Sequence, residues 1–199
     1  MSDIILIEET HTYLVDGERY PSTTQVISDA GLTDFSMVSP DIMERACQWG
    51  NAVHAMSDYW LRGVLNEDDL DPALQGPLNA LKKWLIEHYA YFAGDPIVEK
   101  FGKHKKLRYC GKPDIVFPDV IIEIKSRKVN MLTDPIQLAS YDNLDGNGKR
   151  KRYVLELKMD GTYVYTRVNP TRKVSDLAWS RFRYLLDLYY MKREVEKWK

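Results

Sequence analysis

Long apolar runs are missing from this chain. No stretch reaches the about 18 consecutive apolar residues that a membrane-spanning helix needs, so no membrane partner is expected. The N-terminus, MSDIILIEET, has no basic region followed by a long apolar one, and a secretory signal is not expected. Cysteine is scarce. Cys47 and Cys110 are the two in the sequence, too few for a disulfide framework. Both are expected to be buried free thiols in a reducing, cytoplasmic compartment. Charge of one sign is also lacking: the net charge is −1, which argues against a generally cationic, nucleic-acid-coating surface. No GxxxxGK[ST] loop occurs, so no nucleotide-driven motor is attached. No repeat, low-complexity tract or linker interrupts the 199 residues, and one domain over residues 1–199 is expected.

What the chain does have is a pair of apolar strands that carry charge. In GKPDIVFPDVIIEIKSRK, residues 111–128, PDIVF and VIIEIK read as two strands joined by a turn at Pro118-Asp119. Side chains alternate between the faces of a strand. Glu123 and Lys125 therefore point one way, and Ile122 and Ile124 point into a core. Charges inside an apolar strand are costly unless something uses them. Asp114, on the neighbouring strand, comes within reach of both. Two carboxylates converging beside a lysine suit a hard divalent cation such as Mg²⁺. A mere surface salt bridge would stabilise little and would not explain charges in an apolar strand.

Around this hairpin the pattern is mixed α/β. Residues 4–20 read as an N-terminal β-hairpin (IILIEE, then HTYLV) with Asp16-Gly17 as the turn signal. A short helix runs from Thr24 to Ala30 and stops at Gly31. Ser39 as N-cap and Pro40 at the first helical position start the next, which runs to about Leu61. Met43, Ala46, Cys47, Gly50, Val53 and His54 form its inward stripe. After an acidic loop, a helix over 77–92 buries Leu78, Leu81, Leu85 and Tyr89. Strand or hairpin follows over 97–110. A helix begins with Asp134 as N-cap, placing Gln137 and Tyr141 on one face. YVLELKM and TYVYTRV form a hairpin about Asp160-Gly161. A C-terminal helix from about Lys173 carries Trp179, Phe182, Leu185, Leu186 and Tyr189 on its apolar side. The expected architecture is a central mixed β-sheet with helices on both faces and the site at one edge.

Basic residues cluster three times. Lys100, Lys103, Lys105, Lys106, Arg108 and Lys112 fall in one acid-free segment with His104. Arg127 and Lys128 follow the charged strand, and Lys149, Arg150, Lys151 and Arg152 form the third cluster. The first two flank the carboxylates, where phosphates of a nucleic acid would lie. Trp49 and Tyr109 are the aromatic rings best placed for base stacking, although core packing is the default for most rings.

Pro113-Asp114 followed by Glu123-Ile124-Lys125 resembles the PD-(D/E)XK nuclease superfamily, whose core is like that of restriction endonucleases. Three further motifs narrow the likeness: GxxxH (Gly50 to His54), GxxD (Gly111 to Asp114) and QxxxY (Gln137 to Tyr141). In this order the set looks like the RecB-like branch, which includes phage and mitochondrial genome-maintenance exonucleases. The motifs span residues 50–141.

The resemblance implies a Mg²⁺- or Mn²⁺-dependent deoxyribonuclease with one or two ions, acting as an exonuclease in phage-type recombination, replication or repair. It implies Asp114, Glu123, the Ile124 carbonyl and His54 as metal ligands, with Glu99 as a further candidate and Glu44 competing for that role. It implies Lys125 as the group that orients water or stabilises charge, with Gln137 and Tyr141 beside it. Lys103, Lys105, Lys106, Arg108, Lys112, Ser126, Arg127 and Lys128 are the candidate DNA contacts. Some relatives hold an iron–sulfur cluster with four cysteines; two cannot supply that set, so no cluster is expected. DNA is the expected partner, as linear ends or as single-stranded or flap DNA. A single-strand annealing or single-strand-binding protein is a further partner of the family type. A structure-specific endonuclease, a restriction-type endonuclease and a non-catalytic binding module on the same fold remain the alternatives.

Overall fold

The computed structural model describes residues 4–7, 12–32 and 37–196. Three short strands open it: β1 (Ile4–Ile7), β2 (Thr12–Val15) and β3 (Glu18–Tyr20), paired antiparallel in that order. The expected hairpin is therefore a three-stranded sheet. Asp16 and Gly17, both at positive φ (52° and 82°), make the tight turn between β2 and β3. Residues 8 and 9, expected to extend the first strand, lie outside the described residues.

Helix α1 (Thr23–Asp29) starts at Ser22, whose hydroxyl accepts the Gln25 amide at 3.0 Å. Helix α2 (Pro40–Leu61) has the expected cap, with Ser39 accepting the Ile42 amide. Its expected inward stripe is realised only in its second half. Val53 is buried and Gly50 and His54 are half-buried, but Met43 is only half-buried and Ala46 and Cys47 are exposed. Helical periodicity fixes which face is apolar, not how far a neighbour extends beneath it. Only from Trp49 onward does α2 lie over the sheet. Cys47 is accordingly not the buried thiol expected, whereas Cys110 is.

Helix α3 (Gln75–His88) buries Leu78, Leu81 and Trp84. It ends before Tyr89, which begins a single 3₁₀ turn and is exposed, not buried as expected. Short strands β4 (Ile97–Val98), β5 (Gly102–Lys103), β6 (Cys110–Gly111) and β7 (Ile115–Val116) lead into β8 (Val120–Lys125). Helix α4 (Asp134–Asn143), strands β9 (Lys151–Leu157) and β10 (Tyr163–Arg167), and helix α5 (Arg172–Glu196) complete the chain. Thr133, not Asp134, occupies the cap position of α4.

The central sheet has the order β10-β9-β8-β7-β4. The β8–β9 pair is parallel and the other pairs are antiparallel. Parallel neighbours need a long crossover, and α4 lies within it. One face of the sheet (Ile115, Ile122, Ile124, Leu155) packs on α2 and α3 through Val53, Met56, Leu81 and Trp84. The other face (Val116, Ile121, Val154) packs on α1, α4 and α5 through Val26, Ile136, Leu138 and Phe182. The fold is thus mixed α/β, with a central mixed sheet between helical layers. Glu123 and Lys125 lie on interior strand β8, and Asp114 immediately precedes interior strand β7, so the charged residues are not at an edge of the sheet. No described helix is long and apolar enough to cross a membrane.

The third basic cluster is only half solvated: Lys149 and Lys151 are exposed, but the two arginines are not. Arg150 and Arg152 are 8 % and 1 % exposed and converge on Asp142, which is fully buried. Arg150 donates to Asp142 Oδ1 at 3.1 Å, and Arg152 to Asp142 Oδ2 at 3.0 Å. Arg150 also grips Asp145 at 2.7 Å. This knot ties the end of α4 to the start of β9. Breaking a buried pair strands a charge, at about 3–5 kcal/mol. Asp142→Ala is expected to lower unfolding stability by that order, and Lys149→Ala, on the exposed neighbour, by under about 0.5 kcal/mol. Denaturant titration of both variants checks this, and equal effects would contradict it.

Candidate active site

Strand alternation and one hairpin register build the centre of the site. Pairing of Ile115 with Ile122 and of Val116 with Ile121 brings Asp114 beside the far end of β8. Asp114 Oδ2 accepts the Ile124 amide at 2.7 Å, and Oδ1 meets His54 Nδ1 at 3.0 Å. Glu123 Oε1 accepts from Lys125 Nζ and from Gln137 Nε2, each at 2.9 Å. Gln137 Nε2 also donates to the Tyr141 hydroxyl oxygen at 3.2 Å. Helix α2 therefore delivers His54, β8 delivers Glu123 and Lys125, and α4 delivers Gln137 and Tyr141.

The cluster is nearly dry. Asp114 and Glu123 are 6 % and 4 % exposed. Burial works to raise the Asp114 carboxyl, but His54, Lys125 and the Ile124 amide hold it below its ordinary value. Burial, and next the Asp114 charge, push Glu123 up to about 7 against the pull of Lys125 and His54. Burial opposes the charge on Lys125, yet Glu123 and Asp114 keep it above its usual range. The Asp114 charge lifts His54 to about 9 in spite of burial. A ligating His54 requires a competing positive charge at Asp114.

Glu99 is brought to the same place. It lines a narrow crevice with His54, Asp58 and Asp114, and its amide donates to the Asp114 carbonyl at 2.8 Å. It sits at φ 50°, a conformation that costs a non-glycine residue about 1–2 kcal/mol. Burial raises its carboxyl, the Lys112 contact lowers it, and the Asp114 and Asp58 charges raise it further. Glu44, the competing candidate, is exposed on the free half of α2 and bonds Gln48 at 3.0 Å.

The basic residues divide. Lys105, Lys106 and Lys128 are exposed, and Ser126 is half-buried near Gly50. Lys103 lies 3.9 Å from Asp16, Arg108 is paired with Glu18 at 2.7 Å, and Lys112 is paired with Glu99. Arg127 turns back to Asp134 with bonds of 2.6 and 3.0 Å, and Asp134 also accepts the Asn130 amide at 2.7 Å. That pairing explains why Asp134 is not the helix cap: its carboxylate clamps the loop after β8. Glu156 holds the same loop by accepting the Val129 amide at 2.8 Å. Glu156 stands between Leu155 and Leu157 and pairs in register with Lys125, so a charge in an apolar strand marked it as it marked Glu123. Tyr109 does not offer a stacking platform. It is fully buried, and its hydroxyl donates to the Ser140 carbonyl at 2.8 Å. Trp49 packs against the α2–α3 side of the core.

Two motif residues meet in a way their spacing did not show. A Cβ at Gly111 would stand 2.6 Å from the Tyr141 ring. Gly111 is thus the floor on which Tyr141 lies, and Tyr141 positions Gln137.

Among the described residues, no three His, Cys, Asp or Glu side chains group as a ready cage for a metal. His54 and Lys125 occupy one oxygen of each carboxylate instead. The donor chemistry nevertheless fits a hard cation: two buried carboxylates lie together, and Glu123 Oε2 is buried with no hydrogen-bond partner. A buried acceptor left unsatisfied is uncommon and calls for a partner.

No family model and no curated protein matches the chain. Among solved structures it is similar to an alkaline exonuclease, LHK-Exo, from Laribacter hongkongensis, with a TM-score of 0.43 and 14 % identity over 87 % of this chain and 93 % of that one. It is also similar to LHK-Exo in complex with dAMP, with a TM-score of 0.38 and 15 % identity over 90 % and 95 %. At these values neither neighbour assigns a reaction to this chain.

Forcing a methyl group under Tyr141 is an overpacking change, expected to cost about 1–3 kcal/mol. The Gly111→Ala penalty should fall in a Tyr141→Ala background, leaving the part due to the Thr23 hydroxyl, which stands 3.0 Å from the added methyl. A double-mutant cycle by urea denaturation checks this, and additive effects would show that the two positions are independent.

Proposed function

We propose that the chain is a divalent-metal-dependent deoxyribonuclease acting on DNA ends. The observation that carries this reading is the buried convergence of Asp114, Glu123 and Lys125, with Glu123 Oε2 left without a partner. Asp114, Glu123 and the Ile124 carbonyl would hold Mg²⁺ or Mn²⁺, with Glu99 and His54 beside them. Such an ion supplies stabilisation of charge on phosphoryl oxygens and a lowered pKa for water.

The residues themselves do the rest. Lys125 Nζ, fixed by Glu123, presents a permanent positive charge to a phosphate as negative charge develops on it. Gln137 fixes the rotamer of Glu123, and Tyr141 fixes Gln137. His54 and the Ile124 amide hold Asp114 from two sides, so the carboxylate does not rotate when phosphate arrives. The low exposure of the cluster strengthens each of these interactions relative to water. Lys103, Lys105, Lys106, Lys112 and Lys128 would draw the DNA backbone across this face, with Ser126 at the mouth. Arg108 and Arg127, committed to Glu18 and Asp134, would contribute field more than direct contact. The resemblance in motif order supports the exonuclease reading over an endonuclease.

The test is hydrolysis of end-labelled linear DNA and of a closed circle, with Mg²⁺, Mn²⁺ or chelator. The expected result is metal-dependent shortening of the linear DNA alone. Lys125→Ala should reduce the rate by about 10²–10³-fold, the order seen when one charge-stabilising donor is removed. Cutting of the circle would move the assignment to an endonuclease. A folded protein that cuts neither substrate under any metal would overturn the reading in favour of a binding module.

A further inference from the structure

A cavity of about 350 Å³ lies next to the carboxylates, on the α4 side of the sheet. That volume falls within the roughly 300–1,000 Å³ range of small-molecule sites. Its floor is apolar, formed by Phe101, Pro113, Val116, Ile121 and Leu144. Lys100, Lys103 and Lys105 stand around it, and the Asp145–Arg150 pair closes one end. Lys100 and Lys103 lie 3.6 and 3.9 Å from Asp145 and Asp16, too far for direct hydrogen bonds. Lys105 is exposed and has no carboxylate within ion-pair distance among the described residues.

The cavity is joined to the site by two features. Ile121 and Glu123 share one face of β8, two residues or about 7 Å apart along the strand. Tyr141 is a common wall: its ring lines the cavity, and its hydroxyl accepts from Gln137, which also holds Glu123.

An apolar floor ringed by lysines fits a flat, weakly polar group carried on an anionic chain. We propose that this cavity binds one unpaired nucleobase of the DNA strand at the site, with the rim lysines on the phosphates that flank it. The proposal rests on the nuclease reading and deepens it by naming the substrate class. A base held in a duplex stack cannot enter a pocket, so the preferred substrate is an end or flap with at least one unpaired nucleotide. Base contacts of this kind are sequence-tolerant, because every base has an apolar face.

The test uses a fluorescein-labelled single-stranded oligonucleotide in chelator, so that anisotropy reads binding without cleavage. An abasic residue is moved along the strand one position at a time. The expected result is a loss of about tenfold in affinity at one position and little change elsewhere. Leu144→Phe, which fills the cavity, should abolish that position dependence, and Lys105→Ala should weaken binding of every oligonucleotide. Far-UV circular dichroism and a cooperative thermal transition report that each variant is folded. A flat abasic scan by a protein that binds and cuts DNA overturns the cavity assignment alone. Position dependence that survives Leu144→Phe places the base elsewhere and also overturns it. A folded protein that binds no oligonucleotide overturns the nuclease reading and this inference together.

Discussion

The Asp114 carboxylate takes the Ile124 amide on one oxygen and the His54 ring on the other, and through those two bonds three parts of the molecule share one frame. The first fixes the loop before β7 against β8. The second anchors the half of α2 that lies over the sheet. If Asp114 were only a charge near other charges, its orientation would be free. Held at both oxygens, it sets where the positive groups of the site must stand, and the electrostatics of Glu123, Lys125 and His54 follow from that placement.

Buried charge is costly, and the molecule meets the cost in three separate networks. Asp114, Glu123 and Lys125 form one. Asp142 with Arg150 and Arg152 forms the second, under the opposite end of α4. Arg127 with Asp134, supported by Glu156, forms the third at the loop after β8. The second has every hydrogen-bonding oxygen of Asp142 engaged and reads as structure. The first leaves Glu123 Oε2 unpartnered, and that inequality distinguishes the two networks, both built from carboxylates and cations.

Local rules made part of this legible in the sequence. Alternation in VIIEIK gave the faces of Glu123, Lys125, Ile122 and Ile124, because the period of a strand is set by its own backbone. Ser39-Pro40 gave the start of α2 for the same reason. What was not legible depends on neighbours. The exposed half of α2 has an ordinary periodic pattern but no sheet beneath it. Arg150 and Arg152 look like a solvated cluster until Asp142, on the preceding helix, is brought under them. Tyr109 looked available for stacking and is instead at 0 % exposure within the second core. Asp134 looked like a cap because its position allows one, and Arg127 seven residues away took it instead. Glu156 carries the same signal as Glu123, a charge inside an apolar strand, but no motif residue stands near it in the sequence.

The contact between Gly111 and the Tyr141 ring has a directional effect on how this sequence can change over generations. A lineage that first gains a side chain at position 111 meets the ring and loses stability at once. A lineage that first shortens position 141 opens most of the space, with the Thr23 hydroxyl left as the remaining neighbour. The two orders of substitution are therefore not equivalent, and the open route begins by giving up the hydroxyl that holds Gln137. Such a lineage reaches a larger residue at 111 only after Glu123 has lost part of its support, so the glycine is protected by the site above it more than by any need of its own backbone.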